Sequence, residues 1–389
     1  MIDPDVRELG FDDHLTLITR FTDEELIPRE DEMVDRGAVP DDLVDRMARL
    51  GLFAITLPRE HGGLGWTVEQ QVRLTLEFTR ASCVYRSRFS TTIGLGSQII
   101  LDHGTAEQRE HYLPRMAAGE CVTAFALTET EAGSDAGAVG TRADPDGDHY
   151  VLHGAKRYIT NAAWADLLMV IARTDPDAPG GAGLSVLLVD PGTPGVHVDL
   201  PTRMNGHETG PVAEVRFDGA RVPAANLVGG TIGRGLHLAL RGINHARTHV
   251  AATAVGQATR LLHEAARHAG RREQFGRPLA ELGSLESMIG TSYAELRAGR
   301  ALVLDTARAF DTGPIPRHEI AAAKHFCTEM AGRVADRAVQ ILGGEGIVGD
   351  SPVPRMWRDV RALRIYEGAS QLHEHNLGRH VVATSSPRA

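Results

Sequence analysis

The sequence predicts an α+β protein, mainly α, with an N-terminal helical domain, a central antiparallel β domain and a C-terminal helical bundle. Three observations carry this. Apolar residues recur at helical spacing from about residue 11 to 118, the period falls to two from about 121 to 228, and the helical period returns from about 233 onward. A chain of 389 residues is too long for one ordinary core. Domains are therefore expected over 1–119, 120–229 and 230–389, the last a four-helix bundle.

In the first region Leu43, Met47, Leu50 and Leu52 share a helical face, as do Val68, Val72, Leu76 and Phe78. Gly62-Gly63-Leu64-Gly65 breaks the pattern between them. In the second, Tyr150-Val151-Leu152-His153, Leu167 to Ile171, Leu184 to Val189, Val196-His197-Val198 and Val212 to Phe217 are strand-like. Turn clusters such as Asp144-Pro145-Asp146-Gly147 and Pro191-Gly192-Thr193-Pro194-Gly195 separate them. With no helices between the strands, an antiparallel sheet is expected. In the third, three long helices are marked by Val250, Ala254, Leu261, Leu262 and Ala265; by Leu285, Ile289, Leu296, Leu302 and Val303; and by Ile320, Phe326, Met330, Val334, Ala338 and Ile341. Long helices with short joints suggest a bundle.

Composition narrows the function classes. A net charge of −10 argues against nucleic acid, which needs concentrated Lys and Arg to displace counterions. Lys156 and Lys324 are the only lysines; nearly every other cation is Arg, a bias with no functional reading of its own. Cys83, Cys121 and Cys327 form no CxxC and no disulfide framework, so a reducing, cytoplasmic setting is expected. Met1-Ile2-Asp3-Pro4-Asp5 is acidic and unlike a signal peptide. No apolar run approaches the ~20 residues of a membrane helix.

Two patterns fail. Gly344-Glu345-Gly346-Ile347-Val348-Gly349 matches GxGxxG, but it follows a helix rather than a strand. Pro352 and Pro354 are also expected to stop any helix from opening after it, so no dinucleotide fold is read there. His373 and His375, two apart, fall on different sides of a helix. They read as solvated histidines, and no metal site is expected.

Five segments carry chemistry. Phe125-Ala126-Leu127-Thr128-Glu129-Thr130-Glu131-Ala132-Gly133-Ser134-Asp135 is a short strand entering a loop of small and hydroxyl residues. Lys156-Arg157-Tyr158-Ile159-Thr160-Asn161 alternates aromatic and hydroxyl side chains. Arg271-Arg272-Glu273-Gln274-Phe275-Gly276-Arg277-Pro278 is a basic helix end with an aromatic and a break. Val339-Gln340-Ile341-Leu342-Gly343-Gly344 and Arg364-Ile365-Tyr366-Glu367-Gly368-Ala369-Ser370-Gln371 complete the set. Each is weak alone. In this order and at these separations they resemble the acyl-CoA dehydrogenase family over essentially the whole chain.

That resemblance implies FAD-dependent desaturation of an acyl-CoA or acyl-carrier-protein thioester, with Glu367 removing the α-proton and the β-hydride passing to the flavin. The plainer role for Glu367 is capping a helix that begins near Ser370. By the same resemblance Phe125, Leu127, Thr128, Gly133, Ser134, Tyr158, Thr160, Ala369 and Gln371 line the flavin. Arg272, Gln274, Phe275, Gln340 and Gly344 would reach the nucleotide half of a neighbouring subunit's FAD, in a homotetramer. Ser134, Asn244, Arg247 and Gly368 would meet the thioester arm, although Arg247 also reads as a surface cation. An electron-transfer flavoprotein would take the electrons. Tyr158, Asn244 and Ala369 stand where Trp, Asp and Thr are frequent in the family. Leu282-Gly283 replaces a pair that often reaches toward the FAD, and Ala246 occupies the alternative base position. A flavin oxidase or monooxygenase on the same scaffold, and a non-catalytic acyl-thioester-binding protein, remain alternatives.

Overall fold

The computed structural model describes residues 2–199, 204–210, 212–348 and 351–385. Helices α1 (Pro4–Arg7), α2 (Phe11–Phe21), α3 (Glu30–Arg36), α4 (Asp41–Arg49), α5 (Val68–Phe78), α6 (Cys83–Thr91), α7 (Ser97–His103) and α8 (Ala106–Ala117) form the first region. Two of these starts are written in the sequence. Thr67 accepts from the Gln70 N–H at 3.2 Å while the Gln70 side chain accepts from the Thr67 N–H at 3.0 Å; Thr105 and Gln108 repeat the arrangement at α8. Between α6 and α7 the helix widens into a π turn over Thr92–Gly96. Such turns recur at functional sites.

The sheet contains β1 (Thr123–Ala126), β2 (Arg142–Asp146), β3 (His149–Thr160), β4 (Leu167–Arg173), β5 (Leu184–Val189), β6 (Val196–Val198) and β7 (Val212–Pro223). Its order is β1-β4-β2-β3-β7-β6, with β5 on the remaining edge of β4. Most pairs are antiparallel, but β1 runs parallel to β4 from Thr123↔Leu167 to Ala126↔Val170, and β2 meets β4 in parallel at Arg142↔Arg173. The antiparallel expectation holds for the other pairs and is corrected at these two. A parallel pair needs only a long enough crossover, and the β2–β3 hairpin supplies it in place of a helix. Along β4 the side chains alternate. Leu167, Met169 and Ile171 join the core of the N-terminal helices, while Leu168, Val170 and Ala172 face the core shared with β3 and β7. Both faces are covered, so the strand reads as one apolar run.

The C-terminal region contains α9 (Gly235–Arg271), a small hairpin of β8 (Glu273–Gln274) and β9 (Arg277–Pro278), then α10 (Gly283–Thr312), α11 (Arg317–Leu342), α12 (Pro352–Leu363) and α13 (Ser370–Ser385). Helix α9 belongs to two cores. Leu238, Ala239, Ile243 and Ala246 pack with the N-terminal helices, whereas its residues from Val250 onward pack with α10, α11 and α12. Pro352 does not prevent a helix but opens one. Ser351 caps α12 by accepting from the Val353 N–H at 3.3 Å, and Pro at the first helical position loses no hydrogen bond. Gly344 and Gly346 lie in a tight turn directly after α11, and Gly349 lies outside the described residues. No described helix is long and apolar enough to cross a membrane.

One buried group makes this packing sensitive to acid. His14 of α2 is fully buried, donates from Nε2 to the Leu50 carbonyl at 2.7 Å and lies 4.6 Å from the Trp66 ring. Burial pulls its pKa down to about 4, against the opposing Leu50 bond. The unfolded chain therefore takes up this proton near pH 6.5 and the folded one only near 4. Stability present above pH 6.5 is lost as the pH falls toward 4, by about 2–3 kcal/mol for this group. Thermal melts at graded pH should show that decline. His14→Gln, which keeps a donor for Leu50, should flatten part of it; an unchanged slope in the variant would remove His14 from the account.

Candidate active site

Between the end of α12 at Leu363 and the start of α13 at Ser370 the chain forms a short strap, Arg364 to Ala369. Two consecutive residues in it are left-handed, Glu367 at φ 55° and Gly368 at φ 103°. Glycine accepts this freely; a glutamate does so at a cost on the order of 1–2 kcal/mol. The surroundings impose it. Glu329 of α11 grips both ends of the strap: Arg364 donates to its two oxygens at 2.8 and 2.6 Å, and the Ser370 hydroxyl donates to one of them. In the middle, Arg247 of α9 donates from Nε to the Glu367 carbonyl at 2.8 Å and Lys324 of α11 donates from Nζ to the Gly368 carbonyl at 2.7 Å. Arg247 also donates to Asn244 Oδ1 at 2.8 Å. A Cβ at position 368 would lie 3.0 Å from His373 Nε2 and 3.2 Å from Arg247 Nη2, so glycine is required on space as well as on φ.

The Glu367 side chain is half-buried, and its carboxyl is pushed up to about 7. Burial is the cause; Arg247, Lys324 and Arg86 oppose it without prevailing. The surrounding bases move the other way. Burial and the Arg247 charge take Lys324 down to about 8, and burial takes Arg86 of α6 down to about 10. His373, held by burial and by Arg247 and Lys324, falls to about 3 and is neutral. A carboxylic acid poised near neutrality beside groups that are cationic at the same pH can accept a proton there.

Three of the predicted residues converge on Glu367, namely Asn244, Arg247 and Gly368. Glu367 itself is not the cap of α13, whose first residue is Ser370. Ala369 closes the strap and Gln371 is exposed on the first turn of α13. A second cluster lies at the end of β1. Phe125 is on the strand, Leu127 and Thr128 follow it, and Gly133 and Ser134 are exposed in the loop beyond. Lys156 Nζ donates to the Leu127 carbonyl at 3.2 Å, and the Arg157 N–H donates to the Thr128 carbonyl at 2.7 Å. Tyr158 (φ 59°) and Asn161 (φ 66°) bracket Thr160 at the end of β3, where the register with β7 slips. The wall between the two clusters is α6 and its π turn. Asn161 donates to the Ser87 carbonyl and Thr91 hydroxyl, both at 2.8 Å, Thr91 donates to the Thr123 carbonyl at 2.6 Å, and Gly94 abuts Ala246.

A third cluster lies elsewhere. Arg272, Gln274 and Phe275 at the end of α9 and on the β8–β9 hairpin, with Gln340 and Gly344 at the end of α11, are all exposed. His268 Nδ1 lies 3.4 Å from a carboxyl oxygen of Glu345, and this contact draws the two chain segments together. The 24 residue-to-residue rises of continuous helix from Arg247 to Arg271 place this cluster about 36 Å from the strap.

The solvated pair expected at His373 and His375 is corrected. His375 is exposed, but His373 is 1% exposed and packs under Gly368, because α13 lies against α11 on that side. No group of three or more metal-ligating side chains occurs among the described residues.

Comparison with known proteins settles the family. The acyl-CoA dehydrogenase N-terminal, middle and C-terminal domain models match residues 14–120, 124–220 and 233–382. The chain belongs to the acyl-CoA dehydrogenase family. An acyl-CoA dehydrogenase of Bacillus subtilis is 34% identical over 94% of this chain and 96% of its own. A subunit of a caffeyl-CoA reductase–Etf complex of Acetobacterium woodii is 34% identical over 88% and 90%. The solved butyryl-CoA dehydrogenase of Megasphaera elsdenii superposes with a TM-score of 0.91 at 30% identity, covering 98% of this chain and 99% of its own. As a member of this family the chain is an oxidoreductase.

Sequence reading missed Arg86, Lys324 and Lys156. The signal for two of them was compositional. Both lysines of a chain otherwise using arginine are buried, Lys324 at 0% and Lys156 at 1% exposure. A compact ammonium fits where a planar guanidinium does not. Lys324→Met should leave the Gly368 carbonyl without its donor and lower stability by about 1–3 kcal/mol. Amide exchange across residues 366–369 should quicken; unchanged exchange there would show that the strap does not need this bond.

Proposed function

We propose that the enzyme catalyses FAD-dependent α,β-dehydrogenation of an acyl-CoA or acyl-carrier-protein thioester, with Glu367 as the base. The observation that carries this reading is the Glu367 carboxyl, raised to about 7, on a strap held in place from four sides. An α-proton beside a thioester is too weakly acidic for an ordinary carboxylate to remove at neutral pH. The base must gain basicity, and the carbonyl must be polarised where water is excluded. Burial provides the first. For the second, the Glu367 N–H makes no hydrogen bond among the described residues and is free to donate to the thioester oxygen. Arg247 and Lys324 act through the strap by holding its carbonyls turned away, and are positioning residues. Asn244, Ser134 and Gly368 are assigned to the thioester arm.

FAD fits the remaining residues. Phe125, Leu127, Thr128, Gly133, Ser134, Tyr158, Thr160, Ala369 and Gln371 would border its ring. When bound, the flavin supplies the acceptor for the β-hydride. Arg272, Gln274, Phe275, Gln340 and Gly344 stand too far along α9 to hold the other end of the same molecule, which supports their reaching a neighbouring subunit's FAD. Phe275 is 91% exposed at a hairpin tip with φ 53°, a costly place for an aromatic unless another body covers it. A homotetramer follows as the assembly, and an electron-transfer flavoprotein as the electron acceptor; the Etf-complex relative supports the latter.

Anaerobic stopped-flow bleaching of the flavin tests the base. Glu367→Gln should fold and retain FAD yet bleach roughly 10²–10⁴-fold more slowly; wild-type rates would move the base elsewhere. Because the raised carboxyl must be ionised to act, wild-type kcat/KM should climb with pH to about 7 and level off above it. A flat profile between pH 5.5 and 8 would contradict the assignment. Arg272→Ala should lose FAD while the isolated chain still folds, and a monomer in light scattering that keeps full FAD would refute the shared site.

A further inference from the structure

Lys156 sits on β3 with its ammonium buried, and all three of its donors are taken. Nζ donates to the Ile171 carbonyl of β4 at 2.6 Å, to Glu129 Oε1 at 2.7 Å and to the Leu127 carbonyl at 3.2 Å. Glu129 accepts in turn from the Gly140 and Thr141 N–H groups at 2.7 and 3.0 Å and from the Thr141 hydroxyl at 2.5 Å. Burial brings Lys156 down to about 8 against the opposing Glu129 charge, which leaves it protonated at neutral pH.

The contact with Ile171 falls where a strand bond belongs. β1 and β4 are parallel and in register up to Ala126↔Val170, and the Leu167 N–H donates to the Val122 carbonyl where the pairing begins. Bonds in a parallel ladder are evenly spaced, one for every second residue of each strand. On that rhythm the Thr128 N–H, two residues beyond Ala126, belongs on the Ile171 carbonyl. Lys156 takes that carbonyl instead. The Thr128 N–H makes no hydrogen bond among the described residues, although the Thr128 carbonyl is held by the Arg157 N–H at 2.7 Å. An apolar residue at 156, with Thr128 closing the ladder, would join the two strands without burying a charge. The ammonium therefore does what strand pairing does not. It stops the ladder and leaves a held backbone N–H with nothing to donate to.

We propose that Lys156 is a positioning residue for the flavin, ending the β1–β4 ladder so that the Thr128 N–H is kept as a hydrogen-bond donor for the flavin ring. The proposal rests on the FAD reading of the segment from Phe125 to Ser134 and gives one backbone atom of it a task. A donor held against the ring favours the reduced form, because reduction adds negative charge to the ring's oxygens and nitrogens. Lys156 thus raises the flavin's affinity for electrons without touching it.

Reductive titration of the holoenzyme against a dye of known potential tests this. In Lys156→Met combined with Glu129→Gln, which leaves no carboxylate unpaired, the Thr128 N–H should turn to Ile171. The midpoint potential should then fall by about 30 mV, a tenfold shift of a two-electron equilibrium, and FAD should be held more weakly. Thr128→Pro removes the same N–H and leaves every Lys156 contact in place. It should lower the potential as far, and joining it to the first pair of changes should add nothing further. Additive shifts, or a wild-type potential in either variant, would overturn the proposal and leave the flavoprotein reading standing. A wild-type protein that binds no FAD would overturn both. Should one variant fail to fold, the potential of the other decides alone.

Discussion

The structure around Glu367 depends on one constraint, the pinning of a left-handed pair of residues between two long helices. A glutamate at φ 55° relaxes unless its neighbours over-determine it. Here the strap's ends are tied to Glu329 and its middle carbonyls to Arg247 and Lys324. Three of the four ties come from α11 and one from α9. The strap is therefore only as well placed as α9 is against α11. That explains the small-residue seam between them, in which Ala251, Ala254, Ala258, Ala331, Ala335 and Ala338 are all buried. Close helix approach sets the strap, and the strap sets the carboxylate.

Helix α9 also links the site to the remainder of the chain. Its first half packs into the core of the N-terminal helices and its second half into the bundle. Arg247, beside that junction, faces a strap from the C-terminal region, while Ala246 meets Gly94 in the π turn of the N-terminal region. The π turn in turn is bonded to β1 through Thr92 and Thr91. Elements from all three regions thus share one small volume, and none of the three would form the site alone.

Much of this was legible in the sequence, and the rest was not for definable reasons. The change of period from 3.6 to 2 and back exposed the three regions, since most of the helices and strands bury one face more than the other. The strap was legible through the Tyr366-Glu367-Gly368 motif. The parallel β1–β4 pairing was not, because register between strands some 40 residues apart leaves no local pattern. Pro352 misled because a proline both stops and starts helices, and only the preceding Ser351 cap distinguishes the two. His373 misled because helical spacing tells which residues share a face, not which face is covered. Arg86 and Lys324 carry no motif at all. Their roles arise from burial, which depends on the partners that fold against them.

The electrostatics of the site turn on how its cations are placed. Arg86, Arg247 and Lys324 all favour the ionised form of Glu367, yet its carboxyl sits near 7 rather than below 4. A direct Arg–carboxylate pair would hold it down toward the usual carboxylate range or below and leave a weak base. Instead Arg247 and Lys324 give their donors to the backbone carbonyls of the strap, so they fix its geometry while neutralising the side chain only from a distance. Arg86 stands unpaired. The carboxylate is thus positioned by charges that do not quench it. The same groups held against its oxygens would give a tighter ion pair and a poorer acceptor for a proton.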